Sequence, residues 1–176
     1  MKTLFILVEG KDDITFVENI LSRLFINHSI LLLPIQYQKT RNHEVKKHIK
    51  SIKSKNHDYV LLTDLDSHTY PCITSRKESR LNELDNSIDK DKIIVVKEEL
   101  ESWCLAGVDT SLEEYRDLEI PENTENTTKE DFDKIIEKTS MTKYAFIAYL
   151  AKNFDFKLAI KRNKSFKYFL SKYNLI

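Results

Sequence analysis

Four short apolar segments, separated by segments of helical character, constrain the fold of this chain more than any other feature. The apolar segments are 3–8, 30–35, 59–67 and 92–96, and the third of them ends in acids. Between them, segments 13–25, 43–53 and 74–88 have the spacing or polarity of surface helices. Strands that alternate with helices favour parallel pairing through right-handed crossovers. The sequence therefore predicts an α/β fold with a four-stranded parallel sheet flanked by helices.

The alternation ends after residue 96, and the remainder is predicted to be helical. Helices are expected over 98–106, 112–116, 129–137, 142–153 and 165–173. Segment 118–131 reads as a mobile polar loop that ends at a helix cap near Thr128. We therefore expect a core over 1–108 and a helical C-terminal extension over 109–176, packed on that core in two domains or one compact domain.

The charges balance overall but are unevenly distributed. The chain has 28 basic and 28 acidic residues, which argues against a protein that coats nucleic acid by bulk charge. Segment 39–57 is strongly basic, with lysines that could follow a nucleic-acid backbone or simply be solvated: Lys46, Lys47, Lys50, Lys53 and Lys55. The two cysteines fit no disulfide or zinc framework, and no apolar stretch is long enough for a membrane span. A cytoplasmic location with no membrane partner is expected.

Acids follow two of the predicted strands directly. Glu9 ends the first, and Asp64 and Asp66 end the third, while Asp13 lies in the first turn of the next helix. The carboxyl ends of parallel strands form the usual ligand-binding edge. Clustered carboxylates without histidine or cysteine suit Mg²⁺ or Mn²⁺. Alternatively, Asp13 is a helix N-terminal acid, and Asp64 and Asp66 are ordinary loop acids.

Two motifs, VEGKDD at 8–13 and LLTDLDS at 61–67, resemble the Toprim domain of topoisomerases, primases and OLD-family nucleases. The resemblance implies a Toprim-like, Rossmann-like sheet with a Mg²⁺ site. It also implies that Glu9 is a metal ligand or the acid/base, and that Asp64 and Asp66 are catalytic metal ligands. Asp13 matches an acid that joins a second metal in OLD-type nucleases.

A third segment, EELESW at 98–103, resembles small stand-alone Toprim-like proteins related to OLD and RloB-type nucleases. This resemblance implies that one of these acids completes the second metal site, with Glu101 as the best match to the family acid. Alternatively, Glu98, Glu99 and Glu101 are all first-turn helix acids. Trp103 is expected to pack in the core. Lys143 would neutralise the transition state as a catalytic residue, or else decorate the surface.

The resulting hypothesis is a Mg²⁺- or Mn²⁺-dependent nuclease that cleaves DNA or RNA phosphodiesters, in phage defence or in nucleic-acid repair and processing. One alternative is a non-catalytic module that binds metal and nucleic acid beside a separate ATPase or defence-system protein, since the sequence has no P-loop motif. Another is an RNA-maturing Toprim nuclease.

Overall fold

A computed structural model describes residues 1–38 and 40–176, which divide into two compact units, 1–95 and 96–176. The predicted boundary after residue 108 falls inside the second unit. Lys39, the first residue of the basic segment, lies outside the described residues. No helix in the described part of the chain is long and apolar enough to cross a membrane.

The predicted parallel sheet is confirmed. Its strands are β1 (Lys2–Val8), β2 (Ile30–Gln36), β3 (Asp58–Asp64) and β4 (Ile93–Val96), in the order β2-β1-β3-β4. Strand β1 pairs in parallel with β2 from Lys2↔Ile30 to Val8↔Gln36 and with β3 from Leu4↔Asp58 to Leu7↔Leu61. The carboxyl ends of β1 and β3 therefore lie side by side.

The helices of the first unit follow the predicted order, with differences at their ends. Helix α1 (Lys11–Phe16) continues through a π-helical turn, Val17–Leu21, into α2 (Ser22–Ile26). Helix α3 (Asn42–Ser54) buries Val45, Ile49 and Ile52 in the core beside the sheet. Helix α4 (Ile73–Glu83) ends earlier than predicted, because Asp85 and Asn86 adopt left-handed φ values of 48° and 54°.

The second unit is helical, as predicted. It contains α5 (Glu101–Ala106), a 3-10 turn (Glu113–Tyr115), α6 (Lys129–Glu137), α7 (Lys143–Leu150), α8 (Phe156–Arg162) and α9 (Lys164–Lys172). Thr128 caps α6 as predicted, by accepting from the Asp131 N–H. Helix α8 was not predicted, because its short sequence FKLAIKR has a weak apolar stripe; Asp155 caps it through the Leu158 N–H.

The expectation of a mobile polar loop over 118–131 is wrong for part of that segment. Thr124, Glu125 and Thr127 are buried. The Thr124 N–H donates to the Arg162 carbonyl, and its hydroxyl accepts from fully buried Asn163. Thr124 can be buried here because partners distant in sequence satisfy its polar groups.

Candidate functional site

Glu9 is the centre of a hydrogen-bonded cluster at the carboxyl ends of β1 and β3. Its Oε1 atom accepts from the Thr63 hydroxyl at 2.8 Å and from the Tyr37 hydroxyl at 2.9 Å. The Asp64 N–H makes a longer contact of 3.4 Å with the same oxygen. The side chain of Glu9 is only 18% exposed. The strand-end acid is thus held beside the end of the neighbouring strand, as the parallel register requires.

Two arginines of α4 complete this cluster. Arg80 Nη2 lies 3.0 Å and Arg76 Nη2 3.4 Å from Glu9 Oε1. The two are four residues apart, so they project from the same face of the helix. We call Tyr37, Thr63, Arg76, Arg80 and the Asp64 N–H, which surround Glu9 Oε1, the donor cage.

Thr63 links both guanidinium groups to the acid. Its hydroxyl donates to Glu9 and accepts from Arg76 Nη2 at 2.8 Å and Arg80 Nε at 3.1 Å, which uses its one donor and two acceptor positions. Arg76 Nε also donates to the Asp64 carbonyl at 2.8 Å. Because each side chain fixes the next, the Glu9 carboxylate is held rigidly.

The protonation states within the cage follow from burial and charge. Burial, followed by the Glu9 carboxylate, raises the pKa of Tyr37 well above its ordinary value, so its hydroxyl remains a donor. Burial opposes the charge of Arg80, but interactions with Tyr37, Glu83 and Glu9 outweigh burial and raise its pKa. Burial also opposes the charge of Glu83, yet hydrogen bonds from Ser79 and Arg80 lower its pKa. The cage thus contains two cations that face carboxylates.

The other predicted ligands of the first unit lie at the same edge but have partners of their own. Asp13 Oδ2 accepts from the Gly10 N–H at 2.7 Å. Asp13 is therefore an acid at the N-terminus of a helix, which was the alternative prediction for it. Asp66 is exposed with φ 50°, and its Oδ2 accepts from the Thr69 hydroxyl at 2.8 Å. Asp64 is half-buried where β3 ends. Among the residues that the structure describes, no three His, Cys, Asp or Glu side chains are grouped to hold a metal.

The chemistry of these donors fits a hard divalent cation, because each predicted ligand offers carboxylate oxygens. The arrangement of the donors does not yet form such a site. Glu9 Oε1 already faces guanidinium and hydroxyl donors, so a cation at that oxygen would compete with two positive charges. The assignment of Glu9, Asp13, Asp64 and Asp66 to metal remains a prediction.

In the second unit, the structure brings together two further predicted residues. Glu101 is the first residue of α5, as its helix-acid alternative stated, and it is buried. Its Oε1 forms an ion pair with Lys143 Nζ, which also lies 5.1 Å from the centre of the Phe132 ring. Lys143 is thus mostly buried rather than a surface decoration, with 15% of its side chain exposed.

Trp103 packs in the core of the second unit, as expected. It is fully buried, stacks against Phe169 at 5.2 Å and donates from Nε1 to the Ser165 hydroxyl at 2.8 Å. Ser165 in turn donates to Asn163 Oδ1 at 2.8 Å. The indole has no exposed face on which a base could stack.

Four residues of the donor cage were not predicted as site residues from the sequence: Tyr37, Thr63, Arg76 and Arg80. Helix α4 was predicted to be a polar surface helix, yet Arg76 is 7% exposed. The signal available in the sequence was the pair of arginines at i and i+4 after a strand that ends in acids. That spacing allows two cations to reach one carboxylate.

Comparisons with known proteins agree with the fold. The family model described as "Domain of unknown function (DUF4276)" matches residues 8–173. The solved C-terminal region of the Burkholderia pseudomallei OLD protein has a TM-score of 0.52 at 18% identity, covering 96% of this chain and 97% of that chain. The C-terminal region of the Xanthomonas campestris pv. campestris OLD protein has a TM-score of 0.47 at 16% identity, with 97% of each chain covered. No curated protein matches significantly. The Burkholderia structure shows that the fold is shared.

Proposed function

The chain belongs to the DUF4276 family and shares the fold of the C-terminal region of an OLD protein, and from this premise we propose that it is a divalent-metal-dependent enzyme that cleaves nucleic-acid phosphodiesters. The observation that carries the proposal is the position of Glu9, which accepts from the Asp64 N–H and so unites the acids of two neighbouring strand ends. Such strand ends bind ligands in parallel α/β proteins. The resemblance of both motifs to OLD-family nucleases supports the same reaction.

The chain's own residues would take distinct roles in this enzyme. Glu9, Asp13, Asp64 and Asp66 would hold Mg²⁺ or Mn²⁺. A bound ion of this kind supplies Lewis acidity that stabilises charge on the phosphate oxygens. Arg76 and Arg80 orient the Glu9 carboxylate through their contacts of 3.4 and 3.0 Å. Glu101 and Lys143 form an ion pair within the second unit, and their roles as a metal ligand and a catalytic cation stay predictions.

The test is a cleavage panel of plasmid, linear duplex, single-stranded DNA and structured RNA with Mg²⁺, Mn²⁺ or EDTA. Asp64→Ala should abolish metal-dependent cleavage and the metal-induced rise in melting temperature, while the fold persists. Asp58→Ala is the matched control, because Asp58 begins the same strand and pairs with Lys92 on the surface. It should retain both properties. Full activity in Asp64→Ala would rule out this scheme.

Two observations favour a second function. Glu9 is bound by two guanidinium groups, and no three-carboxylate group is assembled within the described residues. These features also fit a non-catalytic module that binds nucleic acid beside a separate ATPase. Nucleic-acid binding in EDTA together with no cleavage of any substrate in the panel would support this module over the enzyme.

A further inference from the structure

A groove beside α3 is lined almost entirely by cationic side chains. The cavity has a volume of about 320 Å³, and its lining consists of His43, Lys46, Lys47, Lys50, Lys53 and Ser87. The adjoining face of the same helix buries the apolar stripe Val45, Ile49 and Ile52. The amphipathic helix therefore fixes the lysines on the face that borders the groove.

Only part of the positive charge in this groove is balanced. Lys46 forms an ion pair with Asp85, and Lys53 lies 3.1 Å from Asp89. Lys47 and Lys50 are exposed, and neither forms an ion pair with any residue in the described part of the chain. The groove therefore has a surplus of positive charge that would attract an anion.

We propose that this groove binds the phosphodiester backbone of a nucleic acid and guides it to the donor cage. None of the described residues that line the cavity is apolar, which disfavours an amphipathic peptide or a lipid surface. Lys46 and Lys53 are about 10 Å apart along the helix axis, a length that matches roughly three nucleotides of one strand. Lysine is a suitable point charge for phosphate.

The position of α3 connects the groove to the candidate site. Helix α3 begins shortly after Tyr37, whose hydroxyl contacts both Glu9 and the Leu62 carbonyl. The first turn of α3 carries His43, which lines the groove. A strand that entered along α3 would thus approach the edge that carries Glu9. This inference deepens the proposed function and rests on it, because it assigns the substrate track of that same site.

The test measures binding of labelled duplex DNA and duplex RNA of the same sequence by fluorescence anisotropy in EDTA, as a function of salt. EDTA prevents metal-dependent cleavage, so binding is measured separately from the reaction. Lys47→Gln/Lys50→Gln should weaken binding roughly tenfold or more at about 0.1 M salt. The slope of log K against log salt should become shallower by about 1.8 for duplex DNA.

Lys164→Gln/Lys167→Gln is the matched control, since it removes two exposed lysines at the same spacing from α9. It should leave both the affinity and the slope unchanged. Equal losses in the two double variants would overturn the proposal in favour of general charge attraction, as would tighter binding of polyglutamate than of nucleic acid. An unchanged slope in Lys47→Gln/Lys50→Gln would also overturn it.

Hydrolysis of a small chromogenic phosphodiester separates the two proposals. Such a substrate does not require the groove, so its hydrolysis by the unaltered protein tests the proposed enzyme alone. Groove-dependent binding without any hydrolysis would uphold the groove and count against the proposed enzyme. Hydrolysis of the small substrate, together with nucleic-acid binding that Lys47→Gln/Lys50→Gln does not weaken, would support the proposed enzyme and overturn the groove.

Discussion

Replacing Glu9 by Gln tests whether the donor cage requires a negative charge at its centre. The substitution keeps the size of the side chain but removes its negative charge. The oxygen that accepts from Thr63, Tyr37 and Arg80 at 2.8, 2.9 and 3.0 Å becomes a neutral acceptor. A charge-assisted hydrogen bond is worth about 1 kcal/mol more than a neutral one. Three such bonds predict a loss of about 3 kcal/mol in the free energy of unfolding, at the lower end of the cost of breaking a buried ion pair.

The assay is urea denaturation in EDTA, followed by far-UV circular dichroism and by fluorescence. Trp103 is the only tryptophan and lies in the second unit, so its fluorescence reports that unit, whereas circular dichroism reports both. The loss should appear in the circular dichroism transition. A loss below about 1 kcal/mol would refute the view that the guanidinium groups are balanced by Glu9.

Glu83→Gln is the matched control for this experiment. Glu83 also accepts from Arg80, at 2.7 Å, but its side chain is 32% exposed, and water can replace part of the interaction. We expect a loss of about 1 kcal/mol or less. Similar losses in both variants would show that Arg80, and not the charge on Glu9, sets the stability of the cage.

Three further predictions concern stability elsewhere in the chain. Asn163→Ala should cost about 3–4 kcal/mol in urea denaturation, because the fully buried side chain makes four hydrogen bonds of about 1 kcal/mol each. Gly107→Ala should cost about 1–3 kcal/mol by overpacking, because its added Cβ would overlap the Phe154 ring. A hydrogen bond from Tyr59 lowers the pKa of Asp89 from its ordinary value of 3.8. The unaltered protein should therefore melt at a higher temperature than Asp89→Asn above pH 3.8, and this difference should disappear as the pH falls below that value.

Each of these predictions has its own control and contrary outcome. Asn153→Ala removes an exposed asparagine and should hardly change the free energy of unfolding. An equal loss in Asn153→Ala and Asn163→Ala would contradict the view that the buried hydrogen bonds of Asn163 stabilise the fold. Gly10→Ala places its Cβ 3.7 Å from the nearest atom, so it should cost less than Gly107→Ala. For Asp89, a difference in melting temperature that grows as the pH falls would contradict the expected loss of stabilisation in acid.

The sequence by itself determined the elements of the first unit and the position of its acids. Apolar segments that alternate with helical ones favour parallel strands buried on both faces, so the sheet was predictable from pattern alone. Glu9 and Asp64 are at strand ends because the apolar segments stop there. Local sequence also fixed Thr128 as the cap of α6, since capping requires only residues within one turn.

Only the tertiary structure decided what those acids contact. Arg76 and Arg80 are 67 and 71 residues from Glu9 along the chain, and Glu101 is 42 residues from Lys143. No local sequence pattern predicts such pairs, because the sequence around an arginine on a polar helix is the same whether the arginine faces water or a carboxylate. The burial of Thr124 likewise depends on Asn163, which is 39 residues away. A charged side chain can be buried only where another charge or dipole meets it, and the fold alone brings these groups together.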